Sequence, residues 1–337
     1  MNDFSSGNIP EPELKQKPVR NLALERLQIA SPMLAVASVI LTASVVQGVL
    51  HLVLSTLAPD VTDAPWYRQV IAMAPMYLFA MPLSLLLFGL SKSVPPARQK
   101  LKPAVWLGLL AVCFGMTYAG NYLGVFVNAI ISAITGTPTV NELEQLTMST
   151  PLWSNLLFVG ILAPIMEEIF YRKLVIDRLR RYGELPAILI SGIGFGLLHG
   201  NFSQFFYAAA IGIVFGYIYL RTGNILHTIG LHMVINLVGG VYATEVYRML
   251  DVELMQTDAL AAFAQSPVGT VMYLVYMAFF AISCIAAILS AILLMLYWFR
   301  KPVRAEHPLT RGEWVRVLIL NPGVWIFLLV VAMLFLL

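Results

Sequence analysis

Six ionisable or amide side chains lie within long apolar stretches in the middle of the chain. They are Glu167, Glu168, Arg172, His199, His232 and Asn236. A carboxylate beside an imidazole can take a proton from water, and imidazole or amide N–H groups can stabilise the oxyanion that forms when that water attacks a carbonyl carbon. The combination therefore points to hydrolysis of a carbonyl group. The chain has no Gly-x-Ser-x-Gly motif that would supply a serine nucleophile.

The spacing of the acidic residues gives them different tasks on a helix. Glu168 and Arg172 are four residues apart and can form an ion pair on one face. Glu167 is rotated by about 100° from Glu168 and points elsewhere. We expect Arg172 to neutralise and orient Glu168, and Glu167 to face a cavity just after a bend at Pro164. A purely structural ion pair, with Glu167 near the cytosolic interface, is the alternative.

The histidines lie on two further helical stretches. His232 and Asn236 are one turn apart, so they share a face. His199 ends a stretch in which Gly192 and Gly196 are also one turn apart. Small residues at this spacing let membrane helices approach closely, so we expect these glycines to serve packing.

A bound metal ion is the other arrangement that these residues allow. Glu167, His199 and His232 are the ligand types of catalytic zinc sites. The His-Glu-x-x-His helix of many zinc proteases is absent, and the three residues fall in separate helical stretches. The sequence establishes no cofactor. It leaves two alternatives open: a water activated by a carboxylate, and a water activated by a divalent metal such as zinc.

The composition indicates whether these groups lie in a soluble protein or in a membrane protein. Of the 337 residues, 59% are hydrophobic and 12% are charged, whereas soluble domains carry roughly 25% charged residues. Because this shortage of charged residues extends along most of the chain, we expect an integral, multi-pass membrane protein in contact with lipid. The net charge of +3 is small, and we expect no nucleic-acid partner. Cys113 and Cys284 lie in apolar runs and are predicted to be buried thiols.

Nine stretches are long and apolar enough to cross a bilayer, which takes about 20 residues in a helix. The fifth and sixth are short. The sequence therefore predicts an all-α, polytopic membrane helical bundle of about eight to nine transmembrane helices. We expect a flexible cytosolic tail over 1–30 and a single transmembrane domain over 31–337, with a catalytic core at 150–245. The stretches lie near 32–58, 68–91, 103–134, 154–176, 185–201, 204–220, 225–244, 268–299 and 315–337.

The distribution of charge between the stretches predicts the orientation. Most of the 21 Lys and Arg residues fall in alternate connections, starting with the N-terminal segment. The other connections hold only Arg68 and Arg248, together with many acidic residues. Since basic residues concentrate on the cytosolic side, we expect a cytosolic N-terminus, in the plasma membrane of a bacterium.

The polar residues also match the pattern of a known family. In order, the motifs are Glu167-Glu168-x-x-x-Arg172, Phe195-x-x-x-His199 and His232-x-x-x-Asn236. They resemble the three motifs of the CAAX-protease and bacteriocin-processing family, which includes the type II CAAX prenyl endopeptidases. The resemblance covers the fourth to seventh stretches. His227 departs from the pattern and adds an imidazole that would favour the metal alternative.

The resemblance implies an endopeptidase that cleaves membrane-associated peptides or membrane proteins. It makes Glu167 and His199 the water-activating pair. It makes His232 and Asn236 the oxyanion stabilisers, supported by the ion pair of Arg172. Two other functions stay open: a non-proteolytic membrane scaffold or immunity factor on the same fold, and an ion-coupled transporter. Intramembrane ionisable residues also mark ion pathways, but the chain lacks the repeated halves common in transporters.

Overall fold

The structure, a computed structural model, describes residues 22–139, 141–297 and 309–336. All regular secondary structure in these residues is helical, which confirms the predicted all-α fold. The part of the predicted tail before Leu22 lies outside the described residues, as does much of the basic connection near residue 300. The first helix begins at Leu22, ahead of the predicted boundary at residue 30.

Ten principal helices form the bundle in the described part of the chain. They are α1 (Leu22–Leu57), α2 (Tyr67–Phe88), α3 (Pro103–Thr135), α4 (Leu152–Leu179), α5 (Glu184–Leu197), α6 (Phe202–Thr222), α7 (Ile225–Met249), α8 (Pro267–Tyr297), α9 (Arg311–Ile319) and α10 (Pro322–Leu336). Short helices lie in the connections at Pro59–Thr62, Glu142–Ser149, Val252–Thr257 and Ala259–Gln265.

Seven of these helices, α1 to α4 and α6 to α8, are long and apolar enough to cross a membrane. Large apolar side chains are exposed along them, among them Val45, Leu86, Phe126 and Ile285. Water would not tolerate so much contiguous apolar surface, and lipid accounts for it. The chain is therefore an integral, multi-pass membrane protein.

Two of the nine predicted stretches differ locally from one long, straight helix. Helix α5 has 14 residues, about 21 Å at 1.5 Å per residue, against a hydrocarbon core of about 30 Å. It stops because Gly200, with a φ of 68°, turns the chain back into α6. Helices α9 and α10 are bent by 62° at a break near Pro322. Among the described residues, seven helices are thus long and apolar enough to cross a membrane, or up to eight if this bent pair is one span.

The close packing of α5 against α6 depends on glycine. A Cβ atom added to Gly192 would lie 2.6 Å from the backbone nitrogen of Ile213, and one on Gly196 would lie 2.7 Å from the carbonyl oxygen of Phe205. No side chain fits at such distances. The predicted packing role of these two glycines is confirmed, and the hairpin of α5 and α6 holds Phe195 and His199 against α4 and α7.

The buried carboxylate of Asp177 stabilises one end of α4, the end that the charge pattern predicts to be cytosolic. Asp177 is fully buried and accepts hydrogen bonds from Lys173 Nζ at 2.7 Å and from the Tyr219 hydroxyl at 2.8 Å. Its backbone carbonyl accepts a hydrogen bond from Val94 N at 2.7 Å. The connection between α2 and α3 is therefore held against α4 and α6.

A network of amides and hydroxyls fastens the opposite end. Asn155 on α4 accepts hydrogen bonds from Gln69 Nε2 at 3.1 Å and from the Thr150 hydroxyl at 2.9 Å, and its amide donates to the carbonyl of Thr147 at 2.9 Å. Arg248 of α7 donates to the carbonyl of Thr147 at 2.5 Å. These bonds join α2, α4 and α7 at one end of the bundle.

Candidate active site

The acidic pair lies on a single α-helical turn within α4. This turn, Ala163–Glu168, is flanked by wider π-helical segments at Asn155–Leu162 and Ile169–Ile176. Pro164 has no N–H to give to the helical ladder, and the wide segment before it accommodates that loss. Such π-helical segments are frequent at functional sites.

Glu168 forms the ion pair predicted from its spacing to Arg172. Arg172 Nε donates to Glu168 Oε2 at 2.9 Å and Nη2 donates to Oε1 at 3.2 Å, and both side chains are fully buried. A third guanidinium nitrogen, Nη1, donates to the Ser191 hydroxyl at 2.8 Å. The aromatic rings of Phe195 and Phe215 lie 5.4 and 5.7 Å from the guanidinium carbon. The pair is neutralised and fixed on several sides, which such deep burial requires.

Glu167, the preceding residue, has a different environment. Its side chain is also buried, but Arg172 does not contact it among the described bonds. The hydroxyl of Tyr77, on α2, donates to Glu167 Oε1 at 3.3 Å. The other carboxylate oxygen, Oε2, lies 3.7 Å from Nε2 of His232, just beyond hydrogen-bonding distance. Two adjacent carboxylates are thus directed to different partners.

His232 of α7 lies between the two carboxylates. Its Nδ1 is 3.2 Å from Glu168 Oε1. Because an ionised carboxylate can only accept, this contact assigns a proton to Nδ1. The opposite nitrogen, Nε2, faces Glu167. His232 is 3% exposed, so the neighbouring glutamates fix its ring in a buried position.

His199 lies in the turn just after α5. Its Nδ1 is 3.0 Å from the carbonyl oxygen of Phe195, which can only accept, so this nitrogen carries a proton and Nε2 is left for other partners. The Phe195 ring contacts both imidazoles edge to face, with centroids 5.2 Å from His199 and 5.6 Å from His232. The two histidines are therefore neighbours across one aromatic ring.

Asn236 and His227 lie on opposite sides of His232 along α7. The Asn236 amide donates to the carbonyl of Val159 on α4 at 2.9 Å, which leaves its second N–H for another acceptor. His227 is in the first turn of α7, where its Nε2 is 3.5 Å from the Asn224 amide. Trp106 donates to the His227 carbonyl at 3.1 Å. These contacts tie His227 to the start of α7 rather than to the acidic pair.

The metal alternative requires three ligands that are gathered at one point. Among the described residues, no three His, Cys, Asp or Glu side chains are placed to hold a metal ion together. The Nδ1 atom of His232, one of the three candidate ligands, is directed at Glu168.

The sequence patterns do not predict two of the polar residues at this site. Tyr77 lies on α2, outside the predicted core at 150–245, and Ser191 lies on α5. In the sequence, Tyr77 is distinguished only as a tyrosine that follows Pro75 closely within an apolar span. Ser191 sits one residue before Gly192, where a serine is ordinary in a membrane helix.

Part of the chain is similar to known proteins. Residues 149–238 match the family described as Type II CAAX prenyl endopeptidase Rce1-like. The chain is also 27% identical over 125 residues to a Bacillus subtilis (strain 168) protein named "Putative membrane peptidase YdiL". That similarity covers 35% of this chain and 51% of the relative, so the chain spans about half the length of the curated protein it matches. No solved structure matches the chain.

The family match coincides with the part of the bundle that carries the site. It extends from the start of α4 to the middle of α7 and includes all six residues predicted from the sequence. Their three motifs occur in the predicted order, on helices that the structure brings into contact. Over this region the chain is similar to the type II CAAX prenyl endopeptidases, the similarity that the three motifs predict.

Proposed function

We propose that this protein is an intramembrane endopeptidase that hydrolyses peptide bonds of membrane-associated peptides or membrane proteins. The observation that carries the proposal is the contrast between two adjacent buried carboxylates. Glu168 is neutralised by Arg172, whereas Glu167 keeps an oxygen directed towards His232. A buried carboxylate that is not paired with a guanidinium is suited to act as a base. The peptidase name of the similar protein supports the same reaction class.

In the proposed reaction Glu167 is the general base. It takes a proton from a water molecule whose oxygen attacks the peptide carbonyl carbon, and Nε2 of His199 helps to orient that water. The free N–H of Asn236 stabilises the oxyanion, as does Nε2 of His232 when it carries a proton. When the C–N bond breaks, the proton held by Glu167 passes to the leaving amine. Glu168 and Arg172 touch no reacting atom in this scheme and hold His232 in place.

The proposal includes the topology. We propose a bacterial plasma membrane as the location of the protein, and the basic connections support a cytosolic N-terminus. His232 lies about 10 Å along α7 from its predicted cytosolic end, at 1.5 Å per residue. A substrate would thus reach the site from the cytosolic half of the membrane.

The test compares wild type with Glu167→Gln in detergent, using a library of membrane peptides and mass spectrometry. Glu144→Gln is the matched control, because it makes the same change on an exposed residue of an outer connection. We expect wild type and Glu144→Gln to cleave and Glu167→Gln to lose cleavage while melting at a similar temperature. A chelator should leave wild-type cleavage intact. Identical product profiles for all three proteins would contradict the proposal and favour a scaffold or transporter.

A further inference from the structure

The base proposed above is held by a residue from a different helix. The Tyr77 hydroxyl of α2 donates to Glu167 Oε1 at 3.3 Å, across 90 positions of sequence. Tyr77 is 6% exposed, so its hydroxyl is withdrawn from bulk solvent. A buried tyrosine hydroxyl usually has a hydrogen-bond partner, and here that partner is the carboxylate.

The importance of this bond follows from how few others Glu167 has. Glu168 is held at both oxygens by Arg172 and is approached by His232. For Glu167, by contrast, the structure gives one side-chain hydrogen bond among the described residues, from Tyr77. His232 is 3.7 Å away and adds attraction without a formed hydrogen bond. Without Tyr77, the carboxylate would be free to rotate about its terminal torsion, which has a broad energy minimum.

Tyr77 is itself placed by an irregular part of α2. It lies in a π-helical segment, Pro75–Ala80, between two α-helical parts of the span. The wider turn changes the direction in which the following side chains point, and such segments recur at functional sites. α4 has the same kind of segment on either side of Glu167. The two helices thus face each other through irregular turns at the point where the bond forms.

We propose that Tyr77 is a positioning residue that fixes the Glu167 carboxylate for water activation. The inference rests on the proposed peptidase function, and it adds a residue outside the matched region 149–238. By holding Oε1, Tyr77 keeps Oε2 towards His232 and towards the space where the water would bind. It does not touch substrate. Its loss should therefore lower kcat and leave KM unchanged, because fewer enzyme molecules hold the base in the productive orientation.

The experiment compares Tyr77→Phe with Tyr219→Phe in the full-length protein. Tyr219 is the matched control, because it is also a buried tyrosine whose hydroxyl donates to a buried carboxylate, that of Asp177 at 2.8 Å. It lies away from the acidic pair. We expect Tyr77→Phe to lower kcat by roughly tenfold to a hundredfold, the range for losing one hydrogen bond to a charged group, with KM within twofold of wild type. Tyr219→Phe should melt at a lower temperature and keep the wild-type kcat.

Three results would overturn the inference. These are an unchanged kcat in Tyr77→Phe, a change confined to KM, and an equal loss of kcat in both variants. The equal loss would mean that a general weakening of the bundle is responsible. A change confined to KM would mean that Tyr77 contacts substrate.

A second measurement does not depend on activity. In a double-mutant cycle on melting temperature, Tyr77→Phe and Glu167→Ala should give a combined shift that differs from the sum of the single shifts. Additive shifts would overturn the inference even in an active protein. If wild type cleaves no peptide and the shifts are still non-additive, the Tyr77–Glu167 pair stands and the peptidase proposal fails.

Discussion

The imidazole of His232 on α7 lies 3.2 Å from the Glu168 carboxylate on α4, although 64 positions separate them in the sequence. This contact joins two of the three motifs. It is made by the Glu168 carboxylate, which touches no reacting atom in the proposed reaction. Arg172 neutralises Glu168, and Glu168 orients His232. Each link in this chain is buried, so breaking one link should be costly, and the two glutamates should respond differently to the same substitution.

Replacement of Glu168 by glutamine should destabilise the protein far more than the same change at Glu167. Glu168→Gln leaves the charge of Arg172 buried without its counter-ion, a loss of about 3–5 kcal/mol in the free energy of unfolding. Glu167→Gln removes no ion pair with Arg172 and should cost about 1 kcal/mol. Thermal melting in detergent measures both. Equal shifts for the two variants would contradict the division of tasks between these residues.

Asn236→Ala should lower kcat by roughly 10²–10³-fold, the effect of losing one oxyanion donor. The control is Asn155→Ala, which removes another buried amide that joins α4 to its neighbours. Asn155 makes more hydrogen bonds than Asn236, so its variant should melt at the lower temperature yet keep kcat. If Asn155→Ala loses as much activity as Asn236→Ala, the effect of Asn236 is on packing and its role as a donor is wrong.

Ser191→Ala should destabilise the protein by about 1–3 kcal/mol. Its hydroxyl accepts from Arg172 Nη1 at 2.8 Å and donates to the Tyr171 carbonyl at 3.1 Å, so its loss leaves a guanidinium N–H unsatisfied in the interior. Ser84→Ala is the comparison, because the one bond of that buried hydroxyl within the described part of the chain goes to the Met81 carbonyl of its own helix. We expect the control to change the melting temperature little. A larger shift for Ser84→Ala would show that the Ser191 bond is unimportant.

Gly192→Ala should disrupt the contact of α5 with α6. The new methyl group would lie 2.6 Å from the backbone nitrogen of Ile213, so the two helices would have to separate. Gly239→Ala is the control, because nothing lies within 4 Å of the position its methyl group would take. Alanine is the better helix former, so the control should be neutral or slightly stabilising. The melting temperatures, together with peptide cleavage, would show whether this close approach also sets the position of His199.

Local sequence patterns predicted much of the site. The four-residue spacing of Glu168 and Arg172 predicted their ion pair, because residues four apart are neighbours on one face of a helix whatever surrounds that helix. Apolar stretches of sufficient length predicted most of the spans, because hydropathy is also a local property of the sequence. The predictions were less accurate for α5 and for the bent pair α9 and α10. Hydropathy records how apolar a segment is but does not show where Gly200 turns the chain or where Pro322 breaks it.

Taken alone, the sequence determined that this protein lies in a membrane, that its regular structure is helical, and which six side chains stand where lipid would otherwise exclude them. These properties follow from composition and helical periodicity, which are local. Only the tertiary structure decided that Tyr77 reaches Glu167, that Ser191 meets Arg172 and that His227 lies apart from the acidic pair. Each of these depends on which helices pack together and at what rotation, and that is set by contacts between residues far apart in the chain.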